Sequence, residues 1–256
     1  MVIDNQFLLI LISGLFTALA ASLLGAFIVV KRMALVGDVL SHVALPGIGL
    51  ALILSIDPIY GAAVFLLAAA FGTWLIEKKT ALPPEAIIGT FFTATLALGV
   101  ILVPNEELFE SLFGNLFAIK KLDAIVIIAA SSMIFSLTLL LSRRLTLSIA
   151  APDLAKSAGF RPDFSYLAFL LLFALSVALG IKLIGSVLMG ALTILPAVSA
   201  RNLAWSLKLF LIFSVIFGLV MTFTGILISA AFNFPPGPAV ILTGIIFFII
   251  SLFFKK

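Results

Sequence analysis

The chain reads as an all-α, polytopic membrane protein of about nine transmembrane helices, and three observations lead there. Hydrophobic residues fill 64% of its 256 positions and charged ones only 10%, with a mean hydropathy of +1.38, whereas soluble domains are roughly half apolar and a quarter charged. Apolar runs long enough to cross a bilayer follow one another with short polar breaks. The bases sit at those breaks instead of forming a stripe. Spans of ~20 residues at this length leave little room for a soluble domain, so residues 1–256 are expected to form a single transmembrane domain.

The first run, 7 to 30, follows MVIDNQ, which carries an acid and no base. A secretory signal opens on a basic segment and has a shorter apolar core, so this run is expected to remain as a helix. The second, 33 to 55, begins after Lys31 and Arg32 and contains Asp38, His42 and Pro46. The third and fourth, 59 to 76 and 86 to 103, are divided by Glu77, Lys78 and Lys79. An acidic stretch with Glu106, Glu107 and Glu110 leads to the fifth, 124 to 142. The polar segment from Arg143 to Asp163 precedes the sixth and seventh, 164 to 181 and 183 to 199, joined tightly around Lys182. The last two, 207 to 231 and 238 to 254, follow the Arg201 to Lys208 break and the proline-rich FPPGP.

Charge orients these spans. With the amino terminus outside, all but three of the 15 Lys and Arg residues fall on one side, the exceptions being Lys120, Lys121 and Lys182. That side is cytoplasmic by the positive-inside rule, which places the carboxyl terminus in the cytoplasm. The same distribution explains the formal charge of +4 without nucleic acid as a partner. Lipid is the expected surrounding.

The absence of cysteine excludes structural disulfides and thiolate metal cages, leaving oxygen and imidazole as the good metal ligands apart from thioethers. No phosphate-binding G-x-x-x-x-G-K-[ST] loop, G-x-S-x-G or H-E-x-x-H occurs, so the chain is not expected to be an enzyme or to hydrolyse ATP itself.

Function concentrates in the second span. Asp38 and His42 lie in GDVLSHVALPG, and His42 is the only histidine. An ionisable group near mid-bilayer costs at least ~2.5 kcal/mol, so such groups face a partner, a cavity or a transported species. Four residues apart on a helix, both reach one small cation, and the oxygen and nitrogen donors suit Zn(II), Mn(II) and Fe(II). Gly37, Gly47 and Gly49 allow close helix approach, Pro46 frees a backbone carbonyl, and Ser41, Ser186 and Met189 are weaker candidate donors. From the residues alone, an ion path, a helix-gluing pair in a non-transporting scaffold and a proton relay all stand. The relay would make the chain a proton- or ion-coupled secondary transporter.

A related fragment recurs: LVGDVLSHVALP from Leu35 to Pro46 and LIGSVLMGALTILP from Leu183 to Pro196. The two lie on spans that the charges make antiparallel, as inverted repeats around a transport path would be. In the polar segment, about 151–160, Pro152 and Asp153 can open a short helix, Leu154, Ala155 and Ala158 give it an apolar face, and Gly159 can end it. It is either an ordinary surface helix or one suited to a groove on a partner.

In order, RMALVGDVLSHVALPGIGLAL, SLFGNLFAI, APDLAKSAGF, GSVLMGALTILPAVSAR and FPPGPAVILTG resemble the blocks of the manganese/zinc/iron-type permeases of bacterial ABC importers. The resemblance covers nearly the whole chain and is most specific around Asp38 and His42. It implies a fold similar to the cobalamin and siderophore importers, less their first helix, in the bacterial inner membrane. It implies a permease homodimer, a cytoplasmic ABC ATPase dimer and an extracytoplasmic metal-binding protein as partners. Asp38 and His42 would form a transient translocation site for zinc or manganese, with iron also compatible, and no cofactor would be held permanently. APDLAKSAGF would be the coupling helix, with Pro152, Asp153, Leu154, Ala155 and Gly159 docking on the ATPase, and Glu106 to Ala118 an external gate region. Val39 and Val43 stand where alanine is frequent in the family, which bears only on pore width.

Overall fold

The structure is a computed structural model that describes residues 5–33, 36–80, 82–102, 120–232 and 234–254; the side chains of Asn5, Asp38 and Val187 lie outside that description. Among the described residues all regular structure is helical. The helices are α1 (Asn5–Val30), α2 (Val36–Val43), α3 (Leu45–Ile53), α4 (Pro58–Thr80), α5 (Pro84–Leu102), α6 (Lys121–Ala150), α7 (Pro152–Ser157), α8 (Pro162–Ile184), α9 (Ser186–Leu203), α10 (Leu207–Phe232) and α11 (Pro236–Leu252).

Six of these, α1, α4, α5, α6, α8 and α10, are long and apolar enough to cross a membrane. The shortest, α5, has 19 residues, which at ~1.5 Å each nearly matches a hydrocarbon core of ~30 Å. The α2–α3 segment, α9 and α11 are shorter apolar helices. Local chemistry sets many of the starts. α4, α5, α7, α8 and α11 each begin on proline, whose fixed φ and missing N–H suit the first helical position. Before α4, Asp57 Oδ1 accepts the N–H of Ile59 at 3.0 Å, and before α10, Ser206 Oγ accepts that of Leu209 at 3.3 Å.

Two expectations about boundaries change. The polar segment starting at Arg143 is helical as far as Ala150, because α6 runs 30 residues without a glycine or proline to stop it. Leu145 is fully buried in that extension, and the Arg144 guanidinium lies 5.4 Å from the Phe160 ring. The second span is divided at Ala44 into α2 and α3. The expected gate region, Glu106 to Ala118, lies outside the described residues.

The centre of the bundle is built on α1 and α8, buried over 56% and 67% of their most apolar stretches, against 17% to 33% for the other long helices. Gly185 alone, at φ +82°, joins α8 to α9, and α9 packs back against α1, α2, α10 and α11. Phe169 and Phe173 stack at 6.4 Å, with Phe27 of α1 edge-on to Phe169.

At one end of the bundle, Lys182 Nζ lies 2.9 Å from Asp57 Oδ2 and 3.1 Å from Asp123 Oδ1, tying the end of α8 to the starts of α4 and α6. Burial alone would raise the Asp57 pKa, but the Lys182 hydrogen bond and then the Ile59 N–H bring its carboxyl below the usual range. Half-exposed pairs of this kind are each worth ~0.2–1 kcal/mol. Lys182→Met is therefore expected to lower the melting temperature of the solubilised protein by a few degrees, read by differential scanning fluorimetry.

α3 approaches α4 closely, and a Cβ on Gly47 or Gly61 would collide with the other residue's backbone carbonyl. Gly47→Val is expected to cost roughly 1–3 kcal/mol by overpacking. Gly89→Ala, which has open space around it, should leave the melting temperature unchanged in the same assay.

Candidate functional site

The eight-residue helix α2 packs against α9, α5, α4 and α8. On it, residues 38 and 42 are one turn apart, ~6 Å along the axis and ~40° around it. The adjoining face, Gly37 and Ser41, is sealed. A Cβ at Gly37 would touch Thr193 of α9 at 3.6 Å and Phe173 of α8 at 3.7 Å, and Ser41 Oγ donates to the Gly37 carbonyl at 2.8 Å. The related fragments at 35 to 46 and 183 to 196 therefore meet, α2 against α9. α9 runs unbroken through Pro196, whereas the second span does not.

His42 is half-buried. Its ring sits edge-on to Phe92 of α5, with centroids 5.6 Å apart and planes at 61°, and its Nδ1 is shielded from solvent. Asp38 occupies the first turn of α2. One turn beyond the histidine, Pro46 has no N–H to offer the carbonyl four residues back. α2 accordingly stops at Val43, and α3 carries Pro46 in its first turn.

The weaker candidate donors divide. Ser41 spends its hydroxyl on its own helix. Met189 is fully buried, its sulfur placed where a side chain on Gly180 would be. Ser186 Oγ is buried and makes no hydrogen bond. Among the described residues no three His, Asp or Glu side chains gather closely enough to hold a metal ion. The donor set on α2 is thus sparse: one carboxylate-bearing and one imidazole-bearing position on a single helix. Such a set can contact a passing ion without trapping it.

At the other candidate site, α7 begins on Pro152 and closes on a Schellman turn. Phe160 N–H donates to the Ala155 carbonyl at 2.9 Å and Gly159 N–H to that of Lys156 at 3.0 Å, with Gly159 at φ +79°. The apolar face expected of this helix is split. Ala155 is fully buried against the body of the protein, while Leu154, 63% exposed, and Ala158 face outward. Asp153 is exposed, 3.6 Å from Lys156.

The sequence did not point to Phe92 or to a cluster at the base-rich end of the bundle. There the Lys31 ammonium sits 2.9 Å above the Tyr166 ring centroid and 3.5 Å from Glu77 Oε1. The Tyr166 hydroxyl reaches Met33 Sδ at 3.8 Å. Burial pushes the Lys31 pKa down to about 8, although Glu77 pulls it upward. The sequence offers only the Lys31–Arg32 and Glu77–Lys79 breaks, with nothing to pair them.

The sequence profile of the ABC 3 transport family matches residues 4–255. The manganese transport system membrane protein MntC of Listeria monocytogenes is 31% identical over 251 residues, covering 96% of this chain and 90% of the relative. The high-affinity zinc uptake system membrane protein ZnuB of Haemophilus influenzae is 30% identical over 256 residues, 96% of each. In three dimensions the chain is similar to PsaBC from Streptococcus pneumoniae, solved in complex with Fab. The TM-score is 0.85 at 31% identity, and the match covers 97% of this chain and 91% of that one.

Proposed function

The chain belongs to the ABC 3 transport family, and on that footing we propose that it is the membrane permease subunit of an ATP-driven importer of divalent transition-metal ions, manganese or zinc. The observation that carries this reading is the position of α2 in a chain that matches manganese and zinc uptake permeases over nearly its full length. Its buried face is locked on α8 and α9, and its His42 turns toward α5. Asp38 and His42 are the residues that meet the ion in transit. The carboxylate supplies charge and the imidazole a borderline nitrogen donor, and their sparseness lets the ion leave.

Whatever passes beside α2 and α5 needs a second wall. α5 is the least buried of the long helices, at 17% of its most apolar stretch, and Val100 and Ile101 on it are widely exposed. A second copy of the chain against α5 would supply that wall, making the permease a homodimer. The single transmembrane domain would sit in the bacterial inner membrane with its amino terminus outside and its base-rich end in the cytoplasm. There α7, anchored to the permease by the buried Ala155, docks through Pro152, Asp153, Leu154 and Gly159 on an ABC ATPase dimer, while a metal-binding protein delivers the ion outside. ATP binding moves α7 and switches the side to which α2 is open.

Reconstituting the permease with its ATPase in liposomes tests this. ATP-dependent accumulation of manganese or zinc is expected. Uptake driven by an ion gradient without the ATPase would favour a secondary transporter and count against the proposal.

A further inference from the structure

At the base-rich end, α4 and α8 are fastened to each other independently of α1. Trp74 Nε1 donates to the Asp163 carbonyl at 3.0 Å, and Lys78 Nζ lies 3.5 Å from Asp163 Oδ2. The described residues that follow α1, Lys31 to Met33, lie against this α4–α8 plate, held there by side chains. Lys31 rests on the Tyr166 ring of α8 and on Glu77 of α4, and Met33 touches the Tyr166 hydroxyl. Between Lys31 and Met33, Arg32 has a left-handed backbone, φ +62°, a conformation that a non-glycine residue keeps only when its surroundings impose it. Met33 then accepts the N–H of Val36, the first residue of α2, at 3.0 Å, so what fixes Lys31 also fixes the start of the helix that carries Asp38. Glu77 Oε2 is buried, and Lys31 is the ammonium paired with that carboxylate, through Oε1.

We propose that Lys31, seated between Glu77 and the face of Tyr166, is the latch of an inner gate: seated, it pins the α1–α2 connection to the α4–α8 plate and keeps the Asp38–His42 face of α2 closed to the base-rich end, and its release frees α2 to open. This rests on the reading of α2 as the wall of an ion path. Lys31 and Glu77 are positioning residues here, acting on the path through α2. An ammonium suits the role because an aromatic face and one carboxylate hold it strongly only while all three groups are in register, so a small shift of α1 releases it.

The test uses the permease assembled with its ATPase in liposomes loaded with a manganese-quenched dye. Wild type should import manganese with ATP and leak little without it; absence of ATP-driven import would overturn the transport reading itself, whatever the latch does. Lys31→Met and Glu77→Gln should raise the ATP-independent leak by about tenfold or more, and Lys31→Arg, which keeps the cation, should restore tightness. Because the chain has no cysteine, Lys31→Cys with Glu77→Cys can be bridged by a short bifunctional thiol reagent. The bridged complex should lose ATP-driven import by a similar factor and the unbridged one should leak. An assembled Lys31→Met complex as tight as wild type, or a bridged complex importing at the wild-type rate, would overturn the latch. Should Lys31→Met fail to assemble, the bridged and Lys31→Arg complexes decide the question.

Discussion

Asp38→Ala and His42→Ala are each expected to abolish ATP-driven metal accumulation while leaving the permease assembled with its partners. A charge-assisted contact of up to about 3 kcal/mol, lost where the ion crosses, corresponds to roughly 100-fold in rate. The fold should survive because α2 is also packed through Gly37, which lies against Thr193 of α9 and Phe173 of α8. His42→Phe sharpens the test: it refills the space beside Phe92 but offers no donor. Transport should be lost with the melting temperature kept. Normal uptake by both alanine variants would remove this pair from the path.

The second large effect is expected at α7. Leu154 is exposed and Ala155 buried, so Leu154→Asp changes what a partner meets without disturbing the fold. Gly159 ends the helix at φ +79° with open space around it, and Gly159→Ala costs about 1 kcal/mol of local strain, enough to reorient the cap. Together they should cut copurification of the ATPase by on the order of tenfold or more and silence uptake. Unaltered copurification and coupling would show that α7 is an ordinary surface helix.

Much of the fold was legible in the sequence because crossing a bilayer demands length and apolarity, both of which a linear reading sees. The expected first, third and ninth spans match α1, α4 and α11 to within a few residues. The helix end at Gly159 was legible for a similar reason, since the turn chemistry there is local. What escaped depends on contacts between distant residues. Lipid-facing and core-facing positions are equally apolar, so nothing in the sequence said that α1 and α8 would be the buried centre while α5 stayed on the flank. Lys31 with Glu77 and Lys182 with Asp57 are separated by 46 and 125 residues, and each of these charges alone reads as a helix-end anchor. The division of the second span at Ala44 was signalled by Pro46, but its exact place depends on how α3 packs on α4. At the candidate site, the Asp38–His42 spacing was visible because i, i+4 geometry is local. Phe92, which covers the histidine, lies on another helix in an unmarked apolar run.

The most direct test of an ion meeting α2 is electron spin echo spectroscopy of Mn(II) added to the purified permease. His42 is the chain's single histidine, so one imidazole nitrogen coupling would be assigned without ambiguity. The account predicts that coupling in the wild-type protein and its disappearance in His42→Gln. Manganese bound in the permease with oxygen ligands alone, or a nitrogen coupling that persists in His42→Gln, would contradict it.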